Sequence, residues 1–200
     1  MVSANSDHVG VVSLIGGECS GKSTLAAALA ARLDGILVVE QLRLFVDEHG
    51  RPPLQGEQAE ILAGQAAAEL AAAQTAAADG KSWVIGDPAA LMTAIYSIAY
   101  FNDRELLPQA VAHQSSYELT VWCDIDLPWQ ADGEQRDGPH ERERVHRVIA
   151  DVVSSEGLEV LAVHGPVEER VERVLAALVI SPDLITSLSF GVPGSQYLLP

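Results

Sequence analysis

Short apolar runs alternate with longer stretches of helical periodicity along the 200 residues of this chain. Val9–Ile15, Ile36–Val39, Ser82–Gly86, Leu119–Cys123 and Leu158–Val163 are too short for apolar helices and predict five buried strands. The segments between them repeat apolar residues every three to four positions. Lys22–Leu33 carries Leu25, Leu29 and Leu33 on one face, and Glu141–Ser154 carries Val145, Val148, Ile149, Val152 and Val153. Gln41–His49, Ala89–Phe101, Arg104–Ser115 and Pro166–Val179 predict further helices, the last with proline in its first turn. Glu57–Asp79, rich in Ala, Glu and Gln, predicts a long one. Gly50–Gly56 and Asp124–His140 read as loops. Strand and helix in alternation predict an α/β fold: a three-layer sandwich around a five-stranded, mainly parallel sheet. Ligands of such folds sit at the carboxyl ends of the strands, where Gly16, Glu40, Asp87 and Asp124 fall.

One strand end carries a specific motif. Gly16-Gly17-Glu18-Cys19-Ser20-Gly21-Lys22-Ser23 matches G-x-x-x-x-G-K-[ST] without departure, between a predicted strand and a predicted helix. The glycines let backbone N–H groups turn inward around phosphates, and the helix adds its positive end. Lys22, one of only two lysines in the chain, reaches the β- and γ-phosphates, and the Ser23 hydroxyl is placed to ligate Mg²⁺. A P-loop NTPase architecture with ATP and Mg²⁺ as cofactors follows. Cys19 is either a small filler or a thiol whose pKa the helix end lowers.

The acidic strand ends have two readings each. Asp87, after a buried strand, either enters the Mg²⁺ shell or contacts the acceptor hydroxyl, or it N-caps the helix near Pro88. Glu40 and Arg43, three residues apart, either pair with each other or both face the acceptor. The 124–140 segment reads as a lid. Arg136, Arg142, Arg144 and Arg147 lie in or just beyond it, four of twelve basic residues. Arg136, inside the glycine-bearing loop with Gly133 and Gly138, is the candidate to neutralise a transferring phosphoryl group. Arg144 and Arg147 fit helix-surface pairs such as Glu141–Arg144. Trp129 either stacks on a planar ring or anchors the loop.

Composition narrows the partners. Apolar residues make up 48% and charged residues 20%, as in globular domains. The formal charge of −16 disfavours nucleic acid and anionic membranes, which need a basic field. No apolar stretch approaches the ~18 residues of a membrane span. Met1–His8 is polar, without a basic region ahead of an apolar core, so no signal peptide is expected and a cytoplasmic location is. Two cysteines, Cys19 and Cys123, form no disulfide or zinc spacing. We expect a flexible N-terminus over 1–8, one domain over 9–180 and a tail over 181–200. A homo-oligomer is compatible with the sequence.

At these residues the chain resembles the kinase domain of NadR-type ribosylnicotinamide kinases, within a wider group of P-loop ATP-binding proteins. The resemblance runs from about Val11 to about Leu178. It rests on Gly16 to Leu25 (including Thr24), Glu40-Gln41-Leu42-Arg43, Asp87 with Leu91-Met92-Thr93-Ala94-Ile95-Tyr96-Ser97, Tyr117-Glu118-Leu119-Thr120, Trp129, Asp132-Gly133 and Arg136. It implies ATP-dependent phosphorylation of the ribose 5′-hydroxyl of nicotinamide riboside, giving nicotinamide mononucleotide. It also implies that the Asp87 strand lies beside the P-loop strand. Cys19 stands where Ser is more usual, and Gly86 and Pro88 flank Asp87 where the family often carries a second Asp or a Thr. The competing class is a nucleotide-dependent switch, hydrolysing ATP or GTP without a small-molecule acceptor.

Overall fold

The computed structural model describes residues 9–129 and 138–179. The expectations for Met1–His8, for Asp132, Gly133 and Arg136 of the lid, and for the 181–200 tail lie outside the described residues. Among the described residues five strands form one sheet: β1 (Gly10–Ile15), β2 (Ile36–Val38), β3 (Trp83–Gly86), β4 (Leu119–Cys123) and β5 (Leu161–Val163). Their order is β2-β3-β1-β4-β5 and every pairing is parallel. Parallel strands covered on both faces are apolar throughout, which is why their sequences run without alternation.

Among the described residues, seven α-helices connect or follow the strands: α1 (Lys22–Leu33), α2 (Gln41–His49), α3 (Gln58–Ala78), α4 (Leu91–Phe101), α5 (Leu107–Gln114), α6 (Pro139–Ser155) and α7 (Val167–Val179). Val12 and Leu14 of β1 pack with Leu25, Ala26 and Leu29 of α1 and Val171 and Val174 of α7. Ile15, turned to the other face, packs with Leu62 of α3, with α4 and α5, and with Val145, Ile149 and Val152 of α6. The period of two in β1 thus divides the core into two layers. Leu14, Leu25 and Leu29 are fully buried, and truncating any one to Ala costs about 2–5 kcal/mol.

The sheet order sets the site. β1 runs into α1 on one face, while neighbouring β3 runs into α4 on the other. Connections leaving adjacent parallel strands toward opposite faces open a crevice at their carboxyl ends. The Gly16–Ser23 loop and Asp87 border it. Four expected strands are shorter in the structure: Val9 precedes β1, Val39 lies beyond β2, Ser82 precedes β3, and only Leu161–Val163 of 158–163 pairs with β4.

Candidate functional site

The segment from Gly16 to Ser23 joins β1 to α1. Gly16 (φ +154°) has no room for a side chain: a Cβ would stand 2.8 Å from Ser20 Oγ and 2.9 Å from the Cys123 carbonyl. Gly21 adopts φ +81°, where a Cβ would meet Leu127 Cδ1 at 2.9 Å. Ser20 Oγ donates to the Gly17 carbonyl at 2.7 Å, and Lys22 Nζ donates to the same carbonyl at 2.8 Å. The lysine is therefore curled over its own loop. Gly21 is the N-cap of α1 and no side chain caps it, so the first-turn N–H groups have no side-chain acceptor. A positive helix end, an ammonium and a tight glycine loop fit a polyphosphate. Cys19 adopts φ +52° in this loop.

Beside the loop lies a pocket of about 140 Å³ lined by Ser23, Leu37, Val39, Glu40, Arg43 and Asp87. Four residues singled out from sequence, coming from α1, the end of β2, α2 and the end of β3, converge there. The volume suits a pentose-sized group, since pockets for whole drug-sized ligands start at about 300 Å³. Asp87 is 9% exposed, and its backbone N–H donates to the Val38 carbonyl at 3.0 Å, which ties the ends of β2 and β3 together. It does not cap a helix: α4 begins at Leu91 with Ala90 as N-cap.

Burial pushes the Glu40 carboxyl above its ordinary value. Lys22 and Arg43 pull it down in part, and Asp87 raises it further. Glu40 thus feels Lys22, Asp87 and Arg43 together. Tyr96 of α4 is held well up by burial, then by the charges of Glu40, Glu18, Tyr100 and Asp87. It belongs to the surroundings of the acids as an uncharged phenol. Burial also pushes the Cys123 thiol, beneath the loop, up to about 11.

Ser23 hydroxyl and Asp87 carboxylate are hard oxygen donors facing one space, which fits Mg²⁺. No group of three or more His, Cys, Asp or Glu among the described residues could hold a metal. Magnesium bound here would complete its shell with phosphate oxygens and water, its usual mode beside a nucleotide.

Two arginines support the cradle: Arg170, which the sequence reading passed over, and Arg142, which it counted with the lid arginines without a role. Arg170 is 2% exposed. It donates from Nη1 to the Ser20 carbonyl at 2.6 Å, from Nε to the Gly165 carbonyl at 2.8 Å and from Nη2 to Asp126 at 2.5 Å. Arg142 is 6% exposed. Its guanidinium donates to the carbonyls of Ile125 and Leu127, the latter at 2.8 Å, and its own carbonyl abuts Gly17. The signal was present in the helix patterns. Arg170 precedes Val171 and Val174 on the apolar face of α7, and Arg142 extends the Val145–Ile149–Val152 stripe of α6 by one turn. A charge on a buried stripe has a fixed partner. Arg144 pairs with Glu141 at 2.6 Å and lies 5.0 Å over the Tyr100 ring, as a helix-surface residue. Asp124 does not line the pocket; it faces Ile125 N–H and His146.

The arrangement is that of a P-loop nucleoside or nucleotide kinase fold. The family model described as "AAA domain" matches residues 11–170, and the chain belongs to that family. Among solved structures, the chain is similar to NadR protein in complex with NAD and AMP-PNP, at TM-score 0.69 and 17% identity, over 86% of this chain and 50% of that one. It spans about half the length of the NadR structure. It is also similar to Candida albicans thymidylate kinase (TM-score 0.59, 14% identity, 86% and 92% coverage). Deoxyadenosine kinase from M. mycoides with bound dCMP and dCDP gives TM-score 0.57 at 12% identity, with 84% and 98% coverage. No curated protein matches the sequence. The family shown is thus that of the AAA-domain model, and the likeness to NadR read from the motifs is borne out as a likeness of fold.

Proposed function

We propose that the protein is an ATP-dependent kinase of small ribosides, transferring the γ-phosphoryl group to the ribose 5′-hydroxyl of nicotinamide riboside to give nicotinamide mononucleotide. The convergence of Ser23, Glu40, Arg43 and Asp87 around one pocket at the mouth of the Gly16–Ser23 loop carries this reading. A switch protein needs the loop but has no use for a sugar-sized acidic pocket beside it. That the similar NadR structures hold NAD, AMP-PNP and, in another crystal, NR is consistent with the acceptor named.

The roles follow from charge and position. Gly16, Gly17, Glu18, Cys19, Ser20, Gly21, Lys22, Ser23 and Thr24 hold the triphosphate, with Lys22 moving from the Gly17 carbonyl to phosphate oxygens. Ser23 and Asp87 would hold Mg²⁺, which offsets the charge on the β- and γ-phosphates. The ribose oxygen attacks the γ-phosphorus, the bond to the bridging oxygen breaks, and ADP leaves. The hydroxyl proton passes to a carboxylate. Either Asp87 or Glu40 can accept it by position. The raised Glu40 carboxyl makes the better base, and leaves Asp87 to the metal. Arg43 and Arg136 steady the transferring group.

A screen of ribosides for ATP consumption, nicotinamide riboside first, tests the proposal. Phosphorylated product with little hydrolysis in its absence supports it. Hydrolysis indifferent to every riboside refutes it.

A further inference from the structure

On the face of the sheet covered by α3, α4 and α5 lies a carboxylate that the phosphoryl-transfer scheme leaves unused. Glu69 of α3 is 3% exposed. Its Oε1 accepts from Gln65 Nε2 at 3.2 Å. Its Oε2 accepts from the Tyr117 hydroxyl at 2.8 Å and lies 2.9 Å from His113 Nε2. Two of these partners reach the chain segments that bear the pocket acids. Gln65 Oε1 accepts the backbone N–H of Gln41 at 3.1 Å, directly after Glu40. The Tyr117 hydroxyl accepts the backbone N–H of Ala90 at 3.4 Å, three residues after Asp87. Gly86, just before Asp87, lies flat against the carboxylate: a Cβ there would stand 3.1 Å from Glu69 Oε1.

We propose that Glu69 is a positioning residue that sets the placement of both Glu40 and Asp87, through Gln65 and the start of α2 on one side and through Tyr117 and Gly86 on the other. This rests on the kinase reading above. The need for such a tie is clearest at α2, which has no buried residue. Packing alone holds that helix weakly, so the bond from Gln41 N–H to Gln65 fixes where Glu40 and Arg43 stand. A side chain at Gly86 would crowd both Ser13 Oγ, at 3.0 Å, and the Glu69 hub, at 3.1 Å.

Glu69→Gln tests the proposal with little change of shape. A carboxylate offers acceptor sites on both oxygens, whereas an amide accepts on one side only. Either the Gln65 bond or the Tyr117 and His113 contacts must then fail. The expected result is faster hydrogen exchange at the Gln41 or Ala90 amide, and kcat for the riboside lower by ~10-fold or more with nucleotide affinity within ~2-fold. Tyr117→Phe cuts one arm and is expected to speed exchange at Ala90 while Gln41 keeps its wild-type rate. Wild-type exchange at both amides together with wild-type kcat in Glu69→Gln overturns the proposal. So does a general rise in exchange over the sheet with kcat and nucleotide affinity falling together, the mark of a merely structural group. If the wild-type protein phosphorylates no riboside, the kinase reading falls, while the two amides in the variants still decide whether Glu69 holds both segments.

Discussion

Glu40→Gln separates chemistry from folding at the pocket. In the native protein burial raises the Glu40 carboxyl above 4.5, with Lys22 and Arg43 opposing and Asp87 reinforcing. Protonation is therefore favoured more in the folded than in the unfolded state. The sign follows: relative to its charged form, the neutral carboxyl favours folding at low pH, and that contribution is lost as pH rises through the folded pKa. Above it, each unit of upward shift amounts to about 1.4 kcal/mol of destabilisation. Glutamine is neutral at every pH, so the variant should melt at or above the wild-type temperature near pH 7, with a smaller difference in acid. Catalysis should move the other way. A positioned general base contributes about 10²- to 10⁴-fold, or roughly 3–5 kcal/mol of barrier. Wild-type kcat should rise with pH along a limb set above the ordinary glutamate value, and Glu40→Gln should lose that limb. The assay is riboside-dependent ADP release from pH 4.5 to 8.5, beside thermal melts of the same samples. Turnover within ~2-fold of wild type with the limb intact would refute Glu40 as the base, because 10² is the least a base supplies.

Other substitutions test other parts of the account. Lys22→Ala removes one hydrogen bond, to the Gly17 carbonyl, so calorimetry should show ATP affinity falling ~10-fold or more, as for a lost charge-assisted bond, with an unchanged circular dichroism spectrum. Gly21→Ala places a Cβ at φ +81° and 2.9 Å from Leu127; it should cost at least about 1–2 kcal/mol in chemical denaturation and weaken ATP binding. Arg170→Met removes the donor to the buried Ser20 carbonyl and to the Gly165 carbonyl, while the exposed Asp126 keeps the Gly165 N–H, and should destabilise the protein by about 1–3 kcal/mol. Arg170→Lys should recover only part of this loss, since one ammonium cannot span the three acceptors of the planar fork.

How far these features were legible in the chain differs from element to element. The termini of α1 and α2 follow from the motif and from glycine punctuation, and the observed helices coincide with those read from sequence. α1 begins at Lys22 because the glycine before it cannot continue a regular helix at φ +81°. β5 was read too long because Leu158 and Val160 pack into the core without pairing; burial and ladder hydrogen bonding leave the same apolar signature. The meeting of Ser23, Glu40, Arg43 and Asp87 was readable as a set of strand-end positions. Their shared pocket depends on strand order, which local periodicity does not encode. Glu69 was hidden because α3 is alanine-rich and nearly uniform in hydrophobicity, so no stripe marked which of its acids turned inward. Arg170 and Arg142 did interrupt clear stripes, and a search for charges on apolar faces would have found both.

Whether the Asp87 carboxylate works in the same space as the phosphate cradle is decided by transfer of labelled γ-phosphate from ATP to nicotinamide riboside, by wild-type protein and by Asp87→Asn, with ATP binding in the absence of acceptor followed in parallel. The wild type should form product, and Asp87→Asn should do so at a rate lower by ~10²-fold or more while ATP still binds. Equal transfer by the two proteins would contradict such a role for Asp87.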